Sequence, residues 1–139
     1  MVHLAQVKLM ATVSVPIFVE SRYKVSRKKI KEKVGEVVVS YGITGAVEVS
    51  VAIVGSRKMR SLNKKYRNID ATTNVLSFSQ IEGKGPMPVP VSDVLFLGDV
   101  VISYPEVIKE AARENMLVDD KVLELVEHGV LHLLGISHE

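Results

Sequence analysis

Polar and apolar residues repeat along this chain with two different periods. Residues 47–53 (VEVSVAI) alternate at every second position, the pattern of a strand with one buried face. In residues 26–41, Ile30, Val34, Val37, Val38 and Tyr41 recur at helical spacing and Gly42 follows, which predicts a helix and its stop. Residues 94–102 (VLFLGDVVI) are almost wholly apolar and read as a central strand. Residues 7–19 (VKLMATVSVPIFV) and 75–79 (VLSFS) also read as strands, and Pro16, with no N–H to donate, marks an edge or an end. A short basic helix over 56–66 has Met59 and Leu62 as its apolar contacts. The glycines and prolines of residues 81–92 predict a loop. Ser103-Tyr-Pro-Glu106 has the spacing of a capping box, with a helix running on to about Asn115. Asp119 or Asp120 opens the last helix. Its apolar set is Val122, Leu123, Val126, Val130, Leu131, Leu133 and Leu134, and Gly135 ends it. Strands and helices mix without strict βαβ alternation, so an α+β fold is expected, with a single mixed β-sheet covered by helices.

The 139 residues are the length of one domain, expected to span 1–139. The absence of cysteine excludes disulfides, thiolate zinc sites, iron–sulfur clusters and cysteine nucleophiles. No apolar run reaches the roughly 20 residues of a membrane span. The opening MVHLAQVKLMATVSV lacks a basic n-region and a cleavage site, so the expectation is a cytoplasmic protein with no membrane partner. Charge is unevenly placed. Residues 1–67 hold fourteen Lys/Arg against four Asp/Glu, whereas residues 104–139 hold three against eight. Thirteen of the eighteen basic residues fall within 22–33 and 57–67, which suggests an anionic partner for one face.

Three of the four histidines lie in His128-Gly-Val-Leu-His132-Leu-Leu-Gly-Ile-Ser-His138. On a helix, His128 and His132 share one face, with Cβ atoms about 6 Å apart. Gly135 can turn the chain at the helix end, so that His138 folds back as a third ligand. Three neutral imidazoles with an open fourth position describe a catalytic Zn²⁺ site, and Ni²⁺ or Co²⁺ would suit the same ligands. The spacing matches the zinc-protease pattern H-E-x-x-H-x-x-G-x-x-H, which makes the last element a zincin-like metal helix at the C-terminus. The position of the glutamate base, however, is Gly129. Glu127 precedes His128, and one step along a helix rotates a side chain by about 100°, away from the metal face. Peptide hydrolysis by that route is therefore not expected. His3 is assigned no role.

HGVLHLLGISH, together with LNKKYRNIDATTNVLSFS (residues 62–79) and LGDVVIS (residues 97–103), resembles the YbeY family of bacterial metal-dependent endoribonucleases. The resemblance implies a zinc enzyme that cleaves single-stranded RNA, matures the 3′ end of 16S rRNA and takes part in ribosome quality control. Its partners would then be rRNA and the small ribosomal subunit with its proteins. The resemblance places the metal on His128, His132 and His138 and the family's important arginine on Arg67. Ser137 stands where the family usually has aspartate, and Ser79 where proline usually follows the LSF phenylalanine.

An arginine beside the metal suits phosphodiester cleavage, because a guanidinium fork binds two non-bridging oxygens as charge develops on them. With no carboxylate beside the metal, a bound water or the RNA's own 2′-hydroxyl must serve as nucleophile. Asp99, in an apolar strand, is either structural or a partner to a histidine N–H. Thr72, Thr73 and Asn74 are turn residues or groove lining. The Lys/Arg at 57, 58, 60, 64 and 65 lead into Arg67 and could track an RNA backbone. Seven aromatic residues and no tryptophan argue against extensive base stacking. Two other functions fit the same residues. One is hydrolysis of another ester or amide. The other is a non-catalytic ribosome-assembly role with a structural metal.

Overall fold

The computed structural model describes residues 11–20, 22–80 and 94–136. Among these, the order of elements is β1 (Ala11–Ser14), β2 (Ile17–Val19), α1 (Arg27–Ser40), β3 (Gly45–Val54), α2 (Ser56–Arg67), β4 (Val75–Ser79), β5 (Val94–Ser103), α3 (Tyr104–Glu114) and α4 (Val118–Leu133). The strands form one mixed sheet in the order β1-β3-β5-β4, with β2 also on β3. β1, β2 and β5 run parallel to β3, and β4 runs antiparallel to β5. The α+β expectation with a single mixed sheet holds.

The strand expected over 7–19 is, where described, one edge strand broken at Pro16. Ser14 pairs with Glu48 and Ile17 with Val51, so the register runs through the break. Pro16 cannot donate, but its carbonyl accepts from Val51 N at 3.0 Å. The expected loop at 81–92 lies outside the described residues.

Alternation in β3 sorts the molecule into two faces. Val47, Val49, Val51 and Ile53 point into the main core with Ile30, Val34, Val37 and Val38 of α1 and Val122, Val126, Val130 and Leu133 of α4. The opposite face carries a small cluster of Val54, Met59, Leu76 and Val101 under α2. Among the described residues, one side of the sheet is therefore closed by α1, α3 and α4, and the other is covered in part, by α2. The basic residues of α1 and of α2 lie over opposite faces of the sheet, so an anionic partner on one face would meet only one of the two groups.

The helix ends follow local chemistry. The Ser26 hydroxyl accepts from Lys29 N at 3.2 Å and caps α1. Gly135, in the left-handed region, follows the end of α4. The expected capping box at Ser103 is not formed. Ser103 ends β5 and its backbone starts α3, but its hydroxyl is buried without a hydrogen-bond partner among the described residues.

Candidate active site

α4 presents its apolar face to the sheet, and its flanks diverge. On one flank Glu127 reaches across to Lys33 of α1, with Oε1 3.5 Å from Nζ. On the other, His128 and His132 stay exposed and face the edge strand β4. The turn of the helix thus separates Glu127 from the imidazoles, as its position before His128 requires.

Position 129 explains why no acid follows His128. A Cβ on Gly129 would lie 2.5 Å from Val100 Cγ1 and 3.2 Å from Ser77 Oγ, so the helix touches the sheet there. Two serines fix its register. Ser77 Oγ donates to the carbonyl of Gly129 at 3.2 Å, and Ser79 Oγ to that of Leu133 at 3.3 Å. Two residues along a strand rise about 6.7 Å and four along a helix about 6 Å, so strand and helix stay in step. Gly98 allows the same approach from β5. It sits at φ 141° beside a bulge, and a Cβ there would lie 2.8 Å from Leu133 Cδ2 of α4 and 2.3 Å from the Phe78 carbonyl oxygen of β4.

The third wall is the end of α2. Met59 anchors this helix in the small cluster and Asn68 closes it in the left-handed conformation. Asn63 Nδ2 donates to the carbonyl of Ala71 at 2.9 Å and folds the following loop back on the helix. Arg67, the last helical residue, is thereby delivered to the histidine flank. Arg67, Val75, Leu76, Ser77, His128 and His132 line one cleft of about 290 Å³. A larger cavity of about 780 Å³ lies between α2 and α3, with Arg57, Arg60, Lys64 and Lys109 facing Asp70 and Glu106. Two of its four cations are paired: Arg60 Nε lies 2.7 Å from Asp70, and Lys109 Nζ 3.4 Å from Glu106. The hydrogen bond and charge of Arg60 hold the Asp70 carboxyl below its ordinary range.

Two imidazoles one turn apart on an exposed flank fit two positions of a divalent-metal site. Among the described residues, no third His, Asp, Glu or Cys completes a metal-binding group with them. The expected third ligand, His138, lies outside the described residues, as does Ser137. Asp99 is not a partner of the histidines. It faces the α2 side of the sheet and accepts a hydrogen bond from the Ser50 hydroxyl, so the structural alternative applies. Asn74 is likewise structural: its Nδ2 donates to Glu110 Oε1 at 3.1 Å and its carbonyl accepts from Ser103 N. Thr72 lines the larger cavity.

Sequence reasoning missed Asn63, Ser77 and the support behind Asn74. Asn63 falls at the helical spacing of Met59, Leu62 and Tyr66, a polar residue in an apolar stripe, and that was the available signal. Lys121 is buried and bonds Glu114 at 3.0 Å and Glu124 at 2.5 Å, with Glu110 at 3.5 Å. Burial pushes its pKa down, but the hydrogen bonds and charges of Glu124 and Glu114 outweigh this and hold it above the ordinary lysine value. The cluster clamps α3 to α4 and, through Glu110, to the residue that leads into β4.

A family model described as Endoribonuclease YbeY matches residues 17–139. An Endoribonuclease YbeY of Rhodospirillum rubrum is 42% identical over 101 residues, which are 71% of this chain and 50% of that protein. One from Magnetococcus marinus is 38% identical over 96 residues, 67% of this chain and 65% of its own length. One from Dehalococcoides mccartyi strain BAV1 is 33% identical over 121 residues, 82% and 76% of the two chains. The match thus spans about half the length of the first of these relatives and two-thirds of the second. The solution structure of a Thermotoga maritima protein superposes with a TM-score of 0.56 at 29% identity, covering 91% of this chain and 75% of that one.

Proposed function

The chain belongs to the YbeY endoribonuclease family, and from that premise we propose that it is a zinc-dependent, single-strand-specific endoribonuclease acting in 16S rRNA 3′-end maturation and ribosome quality control. The observation that carries this reading is the meeting of Arg67 with His128 and His132 in one cleft, from positions more than sixty residues apart in the chain. His128, His132 and His138 would hold the metal. When bound, zinc supplies Lewis-acid polarisation of a phosphoryl oxygen. The chain's own groups do the rest. The Arg67 fork grips two non-bridging oxygens and stabilises the charge that grows on them. Ser77 and Ser79 hold the imidazoles in register with the strand that floors the cleft. Among the described residues the cleft lining holds no carboxylate, and Glu127 is turned to Lys33, so no peptidase-type base follows His128 and amide hydrolysis is disfavoured.

The expected partners are single-stranded rRNA and the small ribosomal subunit with its proteins, and the expected compartment is the cytoplasm. The test is RNA cleavage by the full chain, with metal content measured in parallel for wild type, His132→Ala and His138→Ala. Each variant should lose RNA cleavage and most of its zinc. Full zinc content in His138→Ala would remove that residue from the ligand set. Product ends separate the two nucleophiles, because attack by the 2′-hydroxyl leaves a 2′,3′-cyclic phosphate and attack by water does not.

A further inference from the structure

The partly covered face of the sheet holds an open groove of about 640 Å³ that the cleavage chemistry does not use. Its volume lies within the roughly 300–1,000 Å³ range of small-ligand pockets. Phe18 from β2, Tyr66 from α2 and Phe78 from β4 line it, with Lys58 of α2 also in the wall. Three of the chain's seven aromatic residues are therefore gathered here, although their positions in the sequence give no sign of it. Tyr66 and Phe78 meet edge to face at 5.1 Å, and Lys65 Nζ lies 5.2 Å from the Tyr66 ring centre. Phe18 and Tyr66 remain 60% and 57% exposed, so large ring faces meet solvent. Ser50 and Asp99 form a hydrogen-bonded polar pair in the same groove.

We propose that this groove binds one unpaired base of the RNA strand whose phosphate is held at Arg67. The proposal rests on the reading of the chain as an enzyme of single-stranded RNA. Three observations select a base over other occupants. First, adjacent residues of two elements line groove and cleft, which meet at the edge strand β4 and the end of α2. Tyr66 lines the groove and Arg67 the cleft, while β4 gives Ser77 to the cleft and Phe78 to the groove. A strand crossing the end of α2 meets both. Second, the approach is cationic, with Lys58 in the wall and Lys65 over Tyr66, which suits a polyanion and disfavours a purely apolar peptide. Third, exposed aromatic faces stack on any base, and an acceptor set beside them discriminates among bases. The Asp99 carboxylate has acceptor capacity beyond the Ser50 hydroxyl. It would receive the exocyclic amine of adenine or cytosine, or the N1–H and amine of guanine. Uracil, whose N3–H is flanked by two carbonyl oxygens, would be repelled.

The test uses the full chain and 2′-O-methyl tetranucleotides of A, C, G or U, with an abasic tetranucleotide as control. Binding is followed by the aromatic ¹³C signals of Phe18, Tyr66 and Phe78 and by the Arg67 Nε signal. The A, C and G oligomers should move all four signals. The abasic oligomer should move Arg67 alone and bind roughly tenfold more weakly, the order of one lost stacking contact. Phe18→Ala with Tyr66→Ala should bring base-bearing oligomers down to the abasic affinity. Both side chains are largely exposed, so the fold is not at stake. Asp99→Asn should improve U relative to G, because an amide both donates and accepts. Movement at Arg67 with a silent groove would overturn the proposal and leave the nuclease reading standing. Groove signals that shift with protein concentration alone would assign the groove to a second copy of the chain, which also overturns it. No response at Arg67 or the groove, together with no RNA cleavage, would remove the RNA reading itself.

Discussion

Arg67 is placed by backbone rather than by a partner: it is the last helical residue of α2, held there by the left-handed Asn68 and by the loop that Asn63 folds back. Arg67→Ala should therefore lower kcat on single-stranded RNA about a hundredfold, or roughly 3 kcal/mol, as one transition-state charge contact is lost. Zinc content should not change. Arg67→Lys should recover little, since a lysine cannot offer the two-pronged geometry. Wild-type turnover in Arg67→Ala would take the residue out of the mechanism. Gly129 makes a different point. A Cβ there collides with Val100, so Gly129→Ala should destabilise the fold by roughly 1–3 kcal/mol by overpacking, measurable as a lower urea midpoint. At this scale the sequence was informative where spacing encodes geometry. His128 and His132 share a flank because they are four apart, and Glu127 leaves it because it is one step away. It was silent where a residue's meaning depends on a distant partner. Nothing near Asp99 in the chain says that Ser50 will face it, and Ser77 reads as an ordinary strand residue until Gly129 lies over it.

Among elements, the contact that matters most for the site is between β4 and α4. Two serine hydroxyls, one strand repeat apart, bond two helix carbonyls one turn apart. Ser79 is one of them, and it occupies a position where the resemblance led to the expectation of proline, which has no hydroxyl to give. Each bond contributes about 1 kcal/mol, so Ser77→Ala with Ser79→Ala should cost about 2 kcal/mol. Faster hydrogen exchange at residues 130–134 should accompany the loss, and unchanged exchange would show that apolar packing alone sets the register. The α3–α4 junction depends on Lys121. Its pKa is raised by folding, so its contribution is complete below the unfolded lysine value of about 10.4 and is lost as pH climbs through the higher folded value. Lys121→Ala should cost about 2 kcal/mol near neutral pH, between the values for exposed and buried pairs. The difference from wild type should shrink only in strong alkali. The helices and most strands were legible from periodicity. The capping box at Ser103 was not, because its hydroxyl is enclosed at the junction of β5 and α3 and the local motif yields to tertiary packing.

For the molecule as a whole, the distribution of charge separates two basic surfaces that the sequence presents as equivalent. α1 packs against β1 and α4, at the far end of the sheet from β4. α2 lies over the other face and ends in the cleft. Along it, Arg57, Arg60, Lys64 and Arg67 recur at intervals of three and four, forming a single stripe that passes the larger cavity and terminates beside the histidines. An RNA strand directed to the cleft meets this stripe and not the lysines of α1. Each phosphate neutralised on a single strand contributes about −0.7 to the slope of log affinity against log salt. Arg57→Gln with Lys64→Gln should therefore weaken RNA binding and flatten that slope by roughly 1–1.5. Lys28→Gln with Lys31→Gln removes the same formal charge from exposed positions of α1 and should leave the slope where it was. Titrations of one non-cleavable RNA with wild type and both double variants, from low to moderate salt, distinguish a tracked path from general attraction to a basic protein. Equal flattening by the two pairs would mean that only net charge matters, and the α2 stripe would lose its role as the approach to the cleft.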